Sequence, residues 1–91
     1  MWHRDLLQKL SSNLPRWRWK HRLGHRGGYL EGTSQKDRVR VELTHAWERW
    51  DVGLYRQTRN GPRYRWALAS EATATDLNGL VSNIQTFCEG K

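Results

Sequence analysis

The chain has 91 residues, of which 36% are hydrophobic, and a formal net charge of +7 from 16 Lys and Arg against 9 Asp and Glu. This length predicts a single domain with little room for a deep catalytic pocket, so we expect a binding protein and not an enzyme. The six Trp exclude a disordered chain, because each can bury roughly 200 Å² and disordered chains are poor in aromatic residues.

The charge is unevenly distributed along the chain. Residues 1–69 carry 15 basic and 6 acidic side chains, whereas residues 70–91 carry one basic and three acidic side chains. A basic body of this kind indicates a polyanionic partner such as DNA, RNA or an acidic protein surface. Twelve of the 16 cations are Arg, and a GC-rich genome, which enriches Arg and Trp together, is the alternative source of the excess.

Cysteine and histidine usage argues against disulfides, metals and cofactors. Cys88 is the one cysteine, so no disulfide within the chain is possible. His21 and His25 are four residues apart, but no second Cys or His pair completes a zinc pattern, and no metal or cofactor is expected. The sequence has neither a signal-like segment nor a run of 18 apolar residues, so we expect a cytoplasmic location and no membrane role.

The N-terminal segment, residues 1–14, is predicted to form a helix. Trp2, Leu6 and Leu10 recur at four-residue spacing, which places them on one helix face. Pro15 ends the helix because it forces the preceding residue out of the helical region.

Residues 16–69 alternate between polar and apolar side chains, and this period of two predicts about four strands. A glycine-rich stretch, residues 24–28, interrupts the pattern after the first strand, and residues 29–30 form a short extension. Asn60-Gly61 predicts a tight turn that makes a hairpin of the last two strands. The side chains expected to face inward are Trp17, Trp19, His21, Val39, Val41, Leu43, Trp50, Val52, Leu54, Tyr64, Trp66 and Leu68.

The C-terminal segment, residues 70–89, is predicted to form the second helix. Its apolar residues follow helical spacing, and Thr73 with Asp76 fits a capping box. The apolar set is Leu77, Leu80, Val81, Ile84, Phe87 and Cys88. The order of elements predicts one α+β domain, residues 1–91, with an antiparallel sheet of about four strands and both helices on one sheet face.

The opposite sheet face is then open to solvent and is the candidate site. Phosphate contacts supply most of the affinity of nucleic-acid-binding proteins, and Arg offers several fixed donors that match phosphate geometry. Tyr55 is expected on this face, where it can stack on a base, and Glu42 and Asp51 are its acidic residues. The predicted cations of the site are Arg16, Arg18, Lys20, Arg22, Arg38, Arg40, Arg63 and Arg65, with Arg49 alongside. The pattern therefore predicts binding of DNA or RNA.

A protein partner is the second hypothesis. Arg and Trp are the residues most enriched at interface hot spots, so the same surface suits a phage-type or mobile-element-type inhibitor or adaptor that docks on an acidic site of a host protein. Exposure of Trp2 or Trp47 would favour protein docking or stacking on single strands. His45, Glu48 and Asp51 include a carboxylate pair, but the sequence contains no recognisable set of nucleophile, base and orienting residue.

Overall fold

The computed structural model of the chain describes residues 2–24, 27–60 and 63–89. Within these ranges a helix at each end flanks five strands, which confirms the α+β class and corrects the expected number of about four strands. The helices and strands, in chain order, are α1 (Trp2–Asn13), β1 (Arg18–Gly24), β2 (Gly27–Thr33), β3 (Arg38–Ala46), β4 (Arg49–Asn60), β5 (Arg63–Ala74) and α2 (Leu77–Glu89).

The strands form one antiparallel meander in which each strand pairs with the next, in the order β1-β2-β3-β4-β5. The predicted hairpin of the last two strands is present, with β4 and β5 paired as far as Asn60 and Arg63. Gly61 and Pro62, the rest of the predicted turn, lie outside the described residues. Such short connections bring neighbouring strands together without crossovers.

The extra strand is β2, which has no clear alternation in the sequence because glycines occupy two of its three helix-facing positions, on either side of Leu30. Gly32 pairs with Trp19, and a Cβ at Gly32 would lie 2.7 Å from two atoms of the Trp19 ring. Glycine at this position therefore gives the indole the space to lie against β2. Trp17 stacks on Trp19 with 6.1 Å between ring centroids, so the two rings take the place of aliphatic side chains at this edge of the core.

Both helices pack on the same face of the sheet. The apolar stripe of α1 contributes Leu6 and Leu10, and that of α2 contributes Leu80 and Ile84, all at most 1% exposed. They form one cluster with alternate residues of the central strands, which are Leu30, Val41, Val52 and Leu54. We call the opposite face of the sheet, which no helix covers, the outer face.

Helix α2 begins later than residue 70, because β5 continues to Ala74. Asp76 caps the helix: its side-chain oxygen accepts a hydrogen bond of 2.7 Å from the backbone N–H of Gly79. A carboxylate in this position satisfies an otherwise unpaired amide and interacts favourably with the helix dipole. The cap is therefore Asp76 and not the predicted Thr73, which lies in β5.

An irregularity in β5 changes which residues face the core. Leu54 pairs with Ser70 whereas Tyr55 pairs with Leu68, so Ala69 has no partner on β4. An extra residue of this kind reverses the alternation of the strand beyond it. Leu68 is consequently 50% exposed on the outer face, and Trp66 shares that face because it pairs with Gln57. The prediction that both face inward is wrong for this reason.

The docking of α2 on the sheet can be tested by truncating its buried side chains. Leu80→Ala or Ile84→Ala is expected to lower the free energy of unfolding by about 2–5 kcal/mol, because each removes a fully buried aliphatic group. Ser82→Ala, at an exposed position of the same helix, should change it by less than about 0.5 kcal/mol. Urea unfolding measures all three variants, and equal stabilities would show that α2 does not pack as described.

Candidate nucleic-acid interface

The register of the strands defines a row of neighbouring residues across the outer face. Lys20 lies beside Glu31, Glu31 beside Arg40, Arg40 beside Tyr55 and Tyr55 beside Leu68. Directly opposed residues on one sheet face have Cβ atoms about 5 Å apart, so their side chains are neighbours. The row therefore changes from a cation at β1 to an exposed apolar side chain at β5.

Three predicted cations of the outer face form ion pairs on that same face. The pairs are Arg22 with Glu31 at 2.9 Å, Arg40 with Glu42 at 2.8 Å and Arg49 with Asp51 at 3.3 Å. A cation in such a pair has to give up its carboxylate before it can bind a phosphate. The face is accordingly mixed in sign around these pairs, which corrects the expectation of an almost uniform cationic surface.

Arg40 and Tyr55 belong to one network centred on Glu42. Besides its ion pair, the Arg40 guanidinium lies 3.8 Å from the centroid of the Tyr29 ring. The Tyr55 hydroxyl donates a 3.4 Å hydrogen bond to Glu42, and the Tyr55 ring lies over Gly53, where a Cβ would be 3.2 Å away. Burial raises the pKa of Tyr55, and the negative charge of Glu42 raises it further. Tyr55 thus lies flat on the sheet as a neutral phenol.

Five exposed cations gather where β1 begins and where β2 turns into β3, and we call this group the cationic corner: Arg16, Arg18, Lys20, Lys36 and Arg38. Thr33 pairs with both Arg18 and Arg38, which places these two cations in one row across the outer face. Lys36 and Arg38 line one shallow depression, and Arg16 and Lys36 line another.

The cations of this corner have no carboxylate within ion-pair distance in the part of the chain that the structure describes. Asp37, their neighbour in sequence, pairs instead with Arg56 at 3.4 Å. The turn that carries Lys36 is fixed by Ser34, whose backbone N–H bonds to the Asp37 carbonyl at 2.8 Å and whose hydroxyl accepts the N–H of Asp37 at 3.0 Å. The corner therefore presents charge on an ordered backbone.

Arg65 does not join the corner, and Arg16 lies at its margin. Arg65 lies two residues from Ala67, which pairs with the core-facing Arg56, so the unpaired Ala69 has moved Arg65 to the helix-side face. The side chain of Arg63 lies outside the described part of the structure. Arg16 precedes β1 and borders the depression that contains Trp17 and Cys88, so it flanks the outer face and does not lie on it.

Sequence patterns did not indicate the role of Arg56. Its guanidinium donates a 2.9 Å hydrogen bond to the backbone carbonyl of Phe87 and lies 4.4 Å from the centroid of the Phe87 ring. The last carbonyls of a helix lack intrahelical donors and carry partial negative charge, so a cation here stabilises the end of α2. The alternation of the strand could have indicated this position, because Arg56 follows Leu54 by two residues and so lies on the same, core-facing side of the sheet.

Cys88 lies beside Arg56 near the end of α2 and is partly buried. Burial raises the pKa of the Cys88 thiol to about 12, and the positive charge of Arg56 opposes that shift only in part. The nucleophilic form of cysteine is the thiolate, so this side chain acts as a packing group near neutral pH. Within the described ranges, no group of three His, Cys, Asp or Glu side chains is placed to hold a metal ion.

Trp47 is the most exposed large apolar side chain among the described residues. It occupies the first position of the two-residue turn between Ala46 and Arg49, has a positive φ of 56° and is 96% exposed. A residue with a Cβ is unfavourable in this left-handed region, by about 1–2 kcal/mol. The side chain of Trp2, whose exposure was the other open question, lies outside the described part.

No family model, curated protein sequence or solved structure matches this chain. In the described part of the chain, neither helix is long and apolar enough to cross a membrane.

The distinction between structural and available cations can be tested with a matched pair of substitutions. Arg56→Met is expected to lower the free energy of unfolding by about 1–2 kcal/mol, because the carbonyl of Phe87 loses a charged donor at a partly exposed site. Arg38→Met, which removes the same group from the cationic corner, should change it by less than about 0.5 kcal/mol. Chemical denaturation of both variants decides the point, and a larger loss for Arg38→Met would contradict the assignment.

Proposed function

We propose that the protein binds nucleic acid through the cationic corner. The observation that supports the proposal is the gathering of five exposed cations with no carboxylate partner in the described residues. A solvated sheet face normally mixes charges of both signs, as the rest of the outer face does. Phosphates would replace water and counterions at the corner without breaking any ion pair.

The charges at the other end of the outer face support the same placement of the ligand. Glu42, Asp51 and Glu71 line one shallow depression there together with Arg49, Tyr55 and Leu68. Carboxylates repel phosphates, and the repulsion is felt over a Debye length of about 8–10 Å at physiological salt. The phosphates of a nucleic acid would therefore be steered to the corner and away from these carboxylates, whereas its uncharged bases are not repelled by them.

Salt dependence of binding is the direct test of this proposal. Each phosphate contact releases condensed counterions, so four or five contacts give a slope of log affinity against log salt of about −3 to −4.5. The double variant Arg18→Glu and Arg38→Glu should weaken binding and flatten that slope by about 1.5 to 2. Fluorescence anisotropy of labelled oligonucleotides over a salt series measures both quantities.

The matched control places the same charge change on the other side of the molecule. Arg4→Glu with Lys9→Glu alters net charge equally at two exposed positions of α1, which packs on the helix-side face. The control should keep most of the wild-type affinity and slope. If both double variants lose affinity equally, the attraction is net charge alone, and if wild type binds no oligonucleotide at low salt, the proposal fails.

Protein docking is the second candidate function, and Trp47 is the observation that favours it. Burying an exposed Trp in a partner removes a large apolar area from water, and Trp is strongly enriched among residues that dominate binding energy. A strained backbone that displays such a side chain is the kind of feature found at binding sites. A partner that uses Trp47 would bind the opposite end of β3 from the corner residue Arg38.

Replacement of Trp47 tests whether its positive φ lowers the free energy of unfolding. Trp47→Gly is expected to raise the free energy of unfolding by about 0.5–1 kcal/mol, since glycine adopts the positive φ without strain and no packing is lost. Glu48→Gly, at the next residue of the turn, should instead lower it by about 0.5–1 kcal/mol because Glu48 has no positive φ to relieve. Thermal and urea unfolding compare the two, and a Trp47→Gly variant less stable than wild type would mean that Trp47 contributes to the fold.

A retention experiment tests the docking function itself. Immobilised wild type and Trp47→Gly are exposed to a nuclease-treated lysate, so that nucleic acid cannot bridge proteins to the column. A protein retained by wild type and lost with Trp47→Gly would support docking through this side chain. Equal retention by the two would contradict it.

A further inference from the structure

The outer face is too broad to enter a groove of duplex DNA. It consists of five hydrogen-bonded strands, and four spacings of about 4.8 Å make it about 19 Å wide. The major groove of B-form DNA is about 12 Å wide and admits a helix or a two-stranded ribbon. A rigid duplex therefore meets the corner with one stretch of backbone, whereas a single strand can follow the surface of the sheet.

The β5 side of the outer face offers apolar area that a single strand can use. Leu68 is half exposed, Trp66 is partly exposed two residues before it on the same face, and the partly exposed Tyr55 lies beside Leu68. All three share the face because Ala69 is unpaired. Exposed apolar area is unfavourable in water, and the flat faces of unpaired bases are suitable groups to cover it.

The cationic corner and this apolar area lie on one path. Arg18, Thr33 and Arg38 form a row from β1 to β3, and Trp66 lies in β5 opposite Gln57, the residue that follows Arg56. Because Val39 pairs with Arg56, Arg38 lies level with Gln57. Arg38 in β3 and Trp66 in β5 are therefore two strand spacings, or about 10 Å, apart. A short stretch of flexible single strand bridges that distance.

We infer that the ligand is single-stranded nucleic acid, an inference that rests on the proposed function. The strand crosses the outer face with its phosphates on the cationic corner and its bases on Trp66 and Leu68. The charge attracts the strand without regard to sequence. The apolar end distinguishes single strands from duplexes, because the base faces of a duplex are stacked on each other and are not available.

Two neighbouring positions of β5 provide the test. Leu68→Glu places a carboxylate on the proposed path, and Ala67→Glu places the same carboxylate one residue away on the helix-side face, where Ala67 pairs with Arg56. Both residues are exposed, so both variants are expected to fold. With a labelled oligonucleotide of about ten nucleotides, Leu68→Glu should weaken binding at least tenfold and Ala67→Glu less than threefold.

Removing the aromatic ring provides a second measurement that leaves the charge unchanged. Trp66→Leu should lower the affinity for the single strand about tenfold, the loss typical of one base-stacking contact, without changing the salt slope. Trp47→Leu, at the exposed turn beyond β3, should change neither quantity. Melting temperatures of all four variants are measured alongside, so that a loss of binding is compared only among folded proteins.

The same oligonucleotide annealed to its complement separates the possible outcomes. The inference predicts that the duplex binds at least tenfold more weakly than the single strand at the same salt. Duplex binding as tight as single-strand binding, or equal affinities of Leu68→Glu and Ala67→Glu, would overturn the inference and leave the proposed function standing. Failure of wild type to bind either form at low salt would overturn the proposed function itself.

Discussion

The unpaired position of Ala69 is the constraint on which the outer face depends. From Trp50 to Leu54, β4 pairs with β5 in one continuous register. From Tyr55 to the hairpin turn, the pairing of β5 is displaced by one residue. A one-residue displacement turns every later side chain to the other face. It brings Leu68 and Trp66 to the solvent side and takes Arg65 away from it. Without it, β5 would present Arg65 and Ala67 on the outer face in place of Trp66 and Leu68.

Most of the architecture could be predicted from the sequence because helix α2 and strands β3 and β4 have clear periodicity. The sequence does not predict strand β2 for a physical reason. At Gly28 and Gly32 the helix-side face of β2 is covered by side chains of β1, so β2 itself lacks the alternating apolar residues of a strand. The polar–apolar alternation of one strand contains no information about side chains that a neighbouring strand places over it. The inward assignment of Leu68 failed similarly, since a bulge is a property of two paired strands.

The candidate site was predictable as a face but not as a set of available charges. Alternation placed Arg18, Arg22 and Arg40 on the same side, and the structure agrees for all three. Whether a cation is available depends on which carboxylate lies across or along the sheet, and that depends on register. Arg22 reaches Glu31 and Arg40 reaches Glu42, so equivalent positions in the sequence pattern have different chemistry.

Structural contacts account for part of the Arg content of the chain but not for the cationic corner. Several arginines are engaged in the fold itself: Arg56 at the end of α2, and Arg22, Arg40 and Arg49 in ion pairs on the outer face. A GC-rich genome enriches Arg and depletes Lys, whereas the corner contains Lys20 and Lys36, two of the four lysines in the chain. Lysine and arginine are both suited to binding phosphate. The shared property of the corner residues is therefore charge at one place on the surface, which composition alone does not produce.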